Sequence, residues 1–216
     1  MRVWTGVLFL SAAALSLSGA SSGPFPDPAV DLERTPAKGR QTAVFAGGCF
    51  WCTEVVFEQM AGVEKVVSGY SGGDASTAHY QIVSDGRTEH AEAIEITYDS
   101  SRLSYGQLLK VFFSVAHDPT QLNRQGPDHG KQYRSAIFYR NADQQRIAEA
   151  YIEQLTQVKI FPAPIVTQVV SLKAFYTAEP YHQDFVKNNP RHPYVVVNAL
   201  PKVQKMKKLY SEWVKK

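Results

Sequence analysis

Cysteine is scarce in this chain: two residues in 216. That excludes a disulfide framework and a four-cysteine zinc site. Long apolar runs are missing as well. The longest, residues 7–17, falls short of the roughly 20 residues a membrane span needs. No cysteine follows that run, so a cysteine-linked lipid anchor there is excluded. No charge of either sign dominates: 23 basic against 20 acidic residues give +3, which calls for no nucleic-acid partner. The six histidines include no i, i+4 pair, so no helical metal motif emerges, and no internal repeat is visible.

The N-terminus reads as an export signal. Arg2 gives a short positive region, the apolar run follows, and Ser18-Gly19-Ala20 offers small residues for cleavage. Residues 1–20 are thus expected to be a signal peptide, with a signal anchor as the alternative, and the chain to be periplasmic or secreted. An oxidising compartment would hold the cysteine pair as a disulfide unless something reduces it. Residues 21–40 are rich in Pro, Ser and Gly without periodicity, the composition of a flexible linker. Residues 41–216 have uniform composition and fit one domain with a sizeable core.

Within that domain, residues 42–46, 63–70, 91–98, 135–139 and 165–171 read as strands, and 49–60, 105–115 and 142–158 as helices. Residues 118–132 are polar and aperiodic, a long loop of the kind that carries function. Val203, Met206, Tyr210, Trp213 and Val214 suggest an amphipathic C-terminal helix docking on the body. The alternation predicts an α/β (α+β) two-layer sandwich close to the ferredoxin-like plait, with a mixed or antiparallel sheet and a helical tail. Strand order is not legible at this level.

The two cysteines sit together in Gly47-Gly48-Cys49-Phe50-Trp51-Cys52-Thr53-Glu54, where a strand could turn into a helix. Residues i and i+3 share a helix face, and a C-x-x-C at a helix start is a setting for a lowered thiol pKa. The expectation is therefore a reactive Cys49 thiolate with Cys52 in reach. The bland alternative is a pair of inert buried cysteines. Phe50 and Trp51 suggest an apolar wall for a small uncharged group; core packing is the alternative. A thioredoxin-like oxidoreductase would have Trp before the first cysteine and small residues or Pro between them. Zinc would need partners such as His90 and Glu92, but the order is the reverse of the deaminase signature and no Pro precedes Cys49. Glu92, opening a strand, could act as a general acid if half-buried, or be a solvated edge carboxylate. Tyr80 and Tyr133 could donate to a substrate oxygen, and Asp128 could do no more than cap a turn.

Taken together, these segments resemble the A-type peptide methionine sulfoxide reductases. The likeness is carried by Gly48-Cys49-Phe50-Trp51-Cys52-Thr53-Glu54, Ser68-Gly69-Tyr70-Ser71-Gly72-Gly73, His90-Ala91-Glu92-Ala93 with Tyr98-Asp99, the stretch from His117-Asp118-Pro119 to Arg124-Gln125-Gly126, and Gln132-Tyr133-Arg134-Ser135, echoed later by Ala178-Glu179-Pro180-Tyr181-His182-Gln183. The resemblance implies Cys49 as nucleophile, Phe50 and Trp51 as the wall for the substrate's S-methyl group, and Glu92 as the acid that protonates the sulfoxide oxygen. It implies Tyr80 and Tyr133 as phenols that hydrogen-bond that oxygen, with Asp128 a further polar partner. Many relatives have Gly where Cys52 stands and place a recycling cysteine near the C-terminus. Here the tail has none, so Cys52 or an external thiol must resolve the oxidised Cys49. The resemblance further implies methionine-S-sulfoxide, free or in proteins, as substrate, no bound cofactor or metal, and a thioredoxin-like dithiol protein as electron donor. The protein is expected to act as a monomer. Two readings outside this one stay open: a binding module with a structural disulfide, and a general thiol–disulfide oxidoreductase.

Overall fold

A computed structural model describes residues 25–32, 34 and 39–216; the expected signal peptide lies outside them. The strands and helices alternate along the chain as β1 (Arg40–Gly47), α1 (Phe50–Glu58), β2 (Val63–Ser71), α2 (Tyr80–Ser84), β3 (Ala91–Asp99) and α3 (Tyr105–Val111). A short hairpin, β4 (Arg124–Gln125) and β5 (Asp128–His129), precedes β6 (Ser135–Tyr139), α4 (Ala142–Gln157), β7 (Gln168–Ser171), β8 (Phe175–Thr177), α5 (Phe185–Asn188) and α6 (Leu200–Leu209).

Six strands form one mixed sheet in the order β7-β6-β1-β3-β2-β8, with only β6 and β7 parallel. The period of two divides its faces. Ala43 and Phe45 of β1 and Ile94 and Ile96 of β3 point into the large core, with Phe57 of α1, Leu108 and Leu109 of α3, and Ile147 and Tyr151 of α4. Val44, Ala46, Ala91, Ala93, Ala136 and Phe138 line the opposite face, under Leu172 and Phe175. The mixed α/β architecture agrees with the sequence expectation. Glu92 follows the parity of Ile94 and Ile96, so the strand directs a carboxyl toward the face that α1 covers.

Two expectations need correcting. Residues 25–32, expected to be part of a flexible linker, are docked on α3 and α4. Phe25, Val30 and Leu32 pack against the core. Tyr151 donates to Pro26 O at 2.7 Å, and Lys110 Nζ pairs with Asp27 at 2.6 Å. Asp31 accepts from Gly106 N at 2.8 Å, an approach that a Cβ at Gly106 would block, since it would fall 2.4 Å from Asp31 Oδ2. Three apolar side chains and two aspartates spaced to meet α3 outweigh the coil-like composition. Second, the chain after β7 is not simply a helical tail. Strand β8, a 3-10 turn, α5 and a π turn intervene before α6, which does dock on the body through Met206, with Tyr210 buried just beyond it.

Candidate active site

Strand β1 ends in two glycines because the chain must turn tightly into α1 beneath the hairpin β4–β5. Gly48 has φ +88°, and a Cβ there would lie 2.4 Å from Gln125 Cβ. Cys49 follows as the N-cap of α1 and its side chain makes no capping bond. The free N–H of Phe50 in the first turn is satisfied instead by Glu92, whose Oε2 accepts it at 3.0 Å. The sheet and the helix start thus meet at a carboxyl next to the first cysteine.

Both cysteines are thiols, 8 % and 2 % exposed. Here the expectation of a lowered Cys49 pKa fails. Burial is the largest influence and pushes the Cys49 thiol well above its usual value; Cys52 and the Glu92 charge push it the same way. Cys52 moves down, through its hydrogen bond with Cys49 and the positive charge of Lys202, against the opposing effect of burial.

Glu92 is 2 % exposed, and burial raises its carboxyl to about 8, with Asp128 and Cys52 adding to the shift and the Phe50 N–H opposing it. It therefore carries a proton at neutral pH. Tyr80 and Tyr133 converge on the same place: burial raises both phenols, and both sense the charges of Glu92, Cys49 and Asp128. Tyr80 is held at the start of α2 by Glu179, which accepts its N–H at 2.9 Å. Asp128, on β5, accepts a hydrogen bond from the Tyr194 hydroxyl, so it does more than cap a turn. The same phenol lies 3.9 Å from Cys52 Sγ.

Phe50 is buried, its ring 4.9 Å from that of His182. Trp51 is partly exposed. Its ring stacks flat on Phe185 at 3.7 Å and 6°, its Nε1 donates to His182 Nδ1 at 3.1 Å, and Tyr194 meets it edge-on at 5.9 Å. A small cavity of about 60 Å³ opens beside Cys49 and Cys52, lined also by Asp128, Tyr194 and Lys202. A larger groove of about 550 Å³ beside Glu58, Lys65 and Lys187 does not reach the cysteines. His90, which a zinc reading would set beside them, has its ring nitrogens at Asp74 O and Gly73 N. Among the described residues no group of three or more His, Cys, Asp or Glu side chains could hold a metal ion.

All eight residues singled out in the sequence lie in this one region. Reasoning from sequence missed Tyr194 and Phe185, which come from the segment between β8 and α6 where no periodicity marks them, and Lys202 in the first turn of α6. His182 lies in the motif Ala178–Gln183, and no local sequence signal marks its contact with Trp51.

The buried carboxyls also dictate a pH dependence of stability. Glu92 keeps its proton to about pH 8 when folded, but only to about 4.5 in the unfolded chain. Between those values unfolding releases a proton, so stability falls as pH rises. His117, buried and held down to about 3, acts in the opposite sense, but only below about pH 6.5. From pH 6.5 to 8 the carboxyls act alone of these. Thermal unfolding of the reduced protein should show a loss over that interval on the order of 1–2 kcal/mol per buried carboxyl. Glu92→Gln should lose one group's share less; an equal slope in both proteins would contradict the raised value.

Comparison with known proteins agrees with this geometry. Residues 41–214 match the family described as peptide methionine sulfoxide reductase. The chain is 56 % identical over 192 residues to a peptide methionine sulfoxide reductase MsrA 2 of Synechocystis sp., covering 88 % of this chain and 90 % of that one. It is 56 % identical over 179 residues to the protein of the same name from Mesorhizobium japonicum, covering 83 % and 92 %. Among solved structures it is similar to methionine sulfoxide reductase A of Corynebacterium diphtheriae, with a TM-score of 0.63 and 32 % identity over 80 % of this chain and 88 % of that one. Reduced Mxr1 from Saccharomyces cerevisiae gives a TM-score of 0.63 and 32 % identity over 73 % and 90 %.

Proposed function

The chain belongs to the A-type peptide methionine sulfoxide reductases, and from that membership we propose how its residues divide the work. It is an oxidoreductase that reduces methionine sulfoxide to methionine. The observation that carries the assignment of roles is the buried Glu92 carboxyl, fixed by the Phe50 N–H at the helix start, one residue from the reduced Cys49.

In this reading the S-methyl group of the substrate rests against Phe50 and Trp51. Its oxygen accepts hydrogen bonds from Tyr80, Tyr133 and the Glu92 acid. A sulfoxide sulfur is a poor electrophile until that oxygen is protonated, which is what a carboxyl with a pKa near 8 supplies. Cys49 attacks the sulfur and forms an S–S bond, its proton replacing the one that Glu92 gives to the oxygen. The oxygen then passes to the Cys49 sulfur as the S–O and S–S bonds to the substrate sulfur break, which releases the methionine thioether and leaves Cys49 as a sulfenic acid. Cys52 then attacks the Cys49 sulfur, water departs and a Cys49–Cys52 disulfide forms. The hydrogen bond with Cys49 and the charge of Lys202 lower the Cys52 thiol, and the i, i+3 spacing keeps it in reach of the oxidised Cys49. A thioredoxin-like dithiol protein restores both thiols by exchange. The substrate is the S epimer, free or in oxidised proteins, and Asp128, held by Tyr194, orients the polar side of the pocket. Residues 1–20 direct export, which makes the setting periplasmic or secreted, and the enzyme works as a monomer. The β6-β1-β3-β2 run, with all neighbours antiparallel, supports the plait reading of the sheet.

The test uses mature, pre-reduced protein with an equimolar, chirally resolved methionine sulfoxide peptide and no added reductant. One methionine per chain, from the S epimer alone, with loss of two thiols, is the expected result. Cys52→Ser should still form one methionine but leave a sulfenic acid that a 1,3-dione traps, and thioredoxin should no longer support turnover. Unchanged thioredoxin-supported turnover in that variant would remove Cys52 as the resolving thiol.

A further inference from the structure

Glu54 lies beyond the reacting atoms yet is 2 % exposed, an unusual place for a carboxyl. It stands one helical turn after Trp51 on α1. Its Oε1 accepts the backbone N–H of Asp184 at 3.3 Å, and the Ser68 hydroxyl, buried and otherwise without a partner, faces the same carboxyl. Asp184 has φ +52° and ψ +28°, a left-handed conformation that a residue with a side chain rarely adopts. It is the N-cap of the four-residue α5 and supplies no side-chain capping bond. The first residue of α5 is Phe185, whose ring lies flat on Trp51. On the other side of Asp184, Gln183 is fixed to β2: Ser68 N donates to its Oε1 at 3.0 Å, and its Nε2 donates to Ser68 O at 2.9 Å. The segment that walls Trp51 is therefore pinned at two successive residues, one by the sheet and one by the helix that also carries the cysteines.

We propose that Glu54 is a positioning residue: through the Asp184 N–H it holds Phe185 against Trp51 and so sets the shape of the wall that receives the sulfoxide's apolar groups. The inference rests on the functional reading above. A hydrogen-bond acceptor at this position suffices; burial raises the Glu54 carboxyl to about 8, with the charges of Glu58 and Asp184 adding to the shift and the Asp184 N–H opposing it. Glu54→Gln keeps the acceptor; Glu54→Ala and the similarly sized Glu54→Met do not.

The experiment measures KM and the single-turnover rate for a methionine-S-sulfoxide peptide in the wild-type protein, Glu54→Gln, Glu54→Ala, Glu54→Met, Phe185→Ala and the double variant Glu54→Ala/Phe185→Ala. The expected result is a rise in KM of about five- to tenfold for Ala and Met, on the scale of one lost hydrogen bond, with little change in the single-turnover rate at saturation. Gln should stay within about twofold of wild type, and removing Glu54 should add nothing once Phe185 is gone. If Ala does not fold, Met carries the comparison. A KM unchanged in Met, a Gln variant as impaired as Met, or an effect of equal size with and without Phe185 would overturn the inference. Absence of turnover in the wild-type protein would instead defeat the functional reading on which it rests.

Discussion

Cys49→Ser should abolish methionine formation, lowering the rate by a factor on the order of 10⁴ or more, the scale of losing an enzyme's nucleophile. The argument is chemical before it is structural. The reaction moves oxygen from one sulfur to another, and a serine hydroxyl can neither attack a sulfoxide sulfur at a useful rate nor accept the oxygen. Cys52 is not expected to take over: it lies within α1 and is 2 % exposed, whereas Cys49 stands at the helix start beside the Phe50 N–H that holds the Glu92 carboxyl. The measurement is the equimolar single turnover followed by peptide mass, with Cys52→Ser alongside. Zero methionine from the first variant and one equivalent from the second would separate the two thiols by role. A Cys49→Ser protein that still formed methionine would end the assignment.

Much of this site was legible because its residues lie in short local motifs. Gly48-Cys49-Phe50-Trp51-Cys52 could be read as a helix start following a strand, and Glu92 as the opening of a half-buried strand, since the periodicity of each segment is set locally. The state of the thiol was not legible. A helix N-terminus favours thiolate, but Cys49 is covered by elements distant in sequence, and that burial decides the direction of its pKa. Tyr194 and Phe185 were hidden for a related reason. Between β8 and α6 the chain consists of a 3-10 turn, a four-residue helix and a π turn, none long enough to show a period. Its shape depends on distant partners such as Glu54 and Ser68. Residues 25–32 make the same point: the contacts of Asp27 and Asp31 lie some 75 to 83 residues away, and composition alone reads as coil.

Glu92→Gln is expected to slow methionine formation in a single turnover by about 10²- to 10³-fold, within the range for removing a general acid. Glutamine keeps the side chain's size and an oxygen to accept the Phe50 N–H, so the start of α1 should be undisturbed. What disappears is the proton. In the wild-type protein the chemical step should weaken above pH 8 as Glu92 ionises, and in the variant that limb should vanish, leaving a low rate that only rises as Cys49 ionises. A second readout separates this role from general damage to the site. The Glu92 charge is one of the influences that raise the Cys49 thiol, so above pH 8 the variant should form its thiolate more easily and react faster with iodoacetamide. A nucleophile that becomes more available while its natural reaction slows is the signature of a lost acid. Alkylation and sulfoxide reduction falling together would point to a distorted pocket, and an unchanged reduction rate would remove Glu92 from the proton's path.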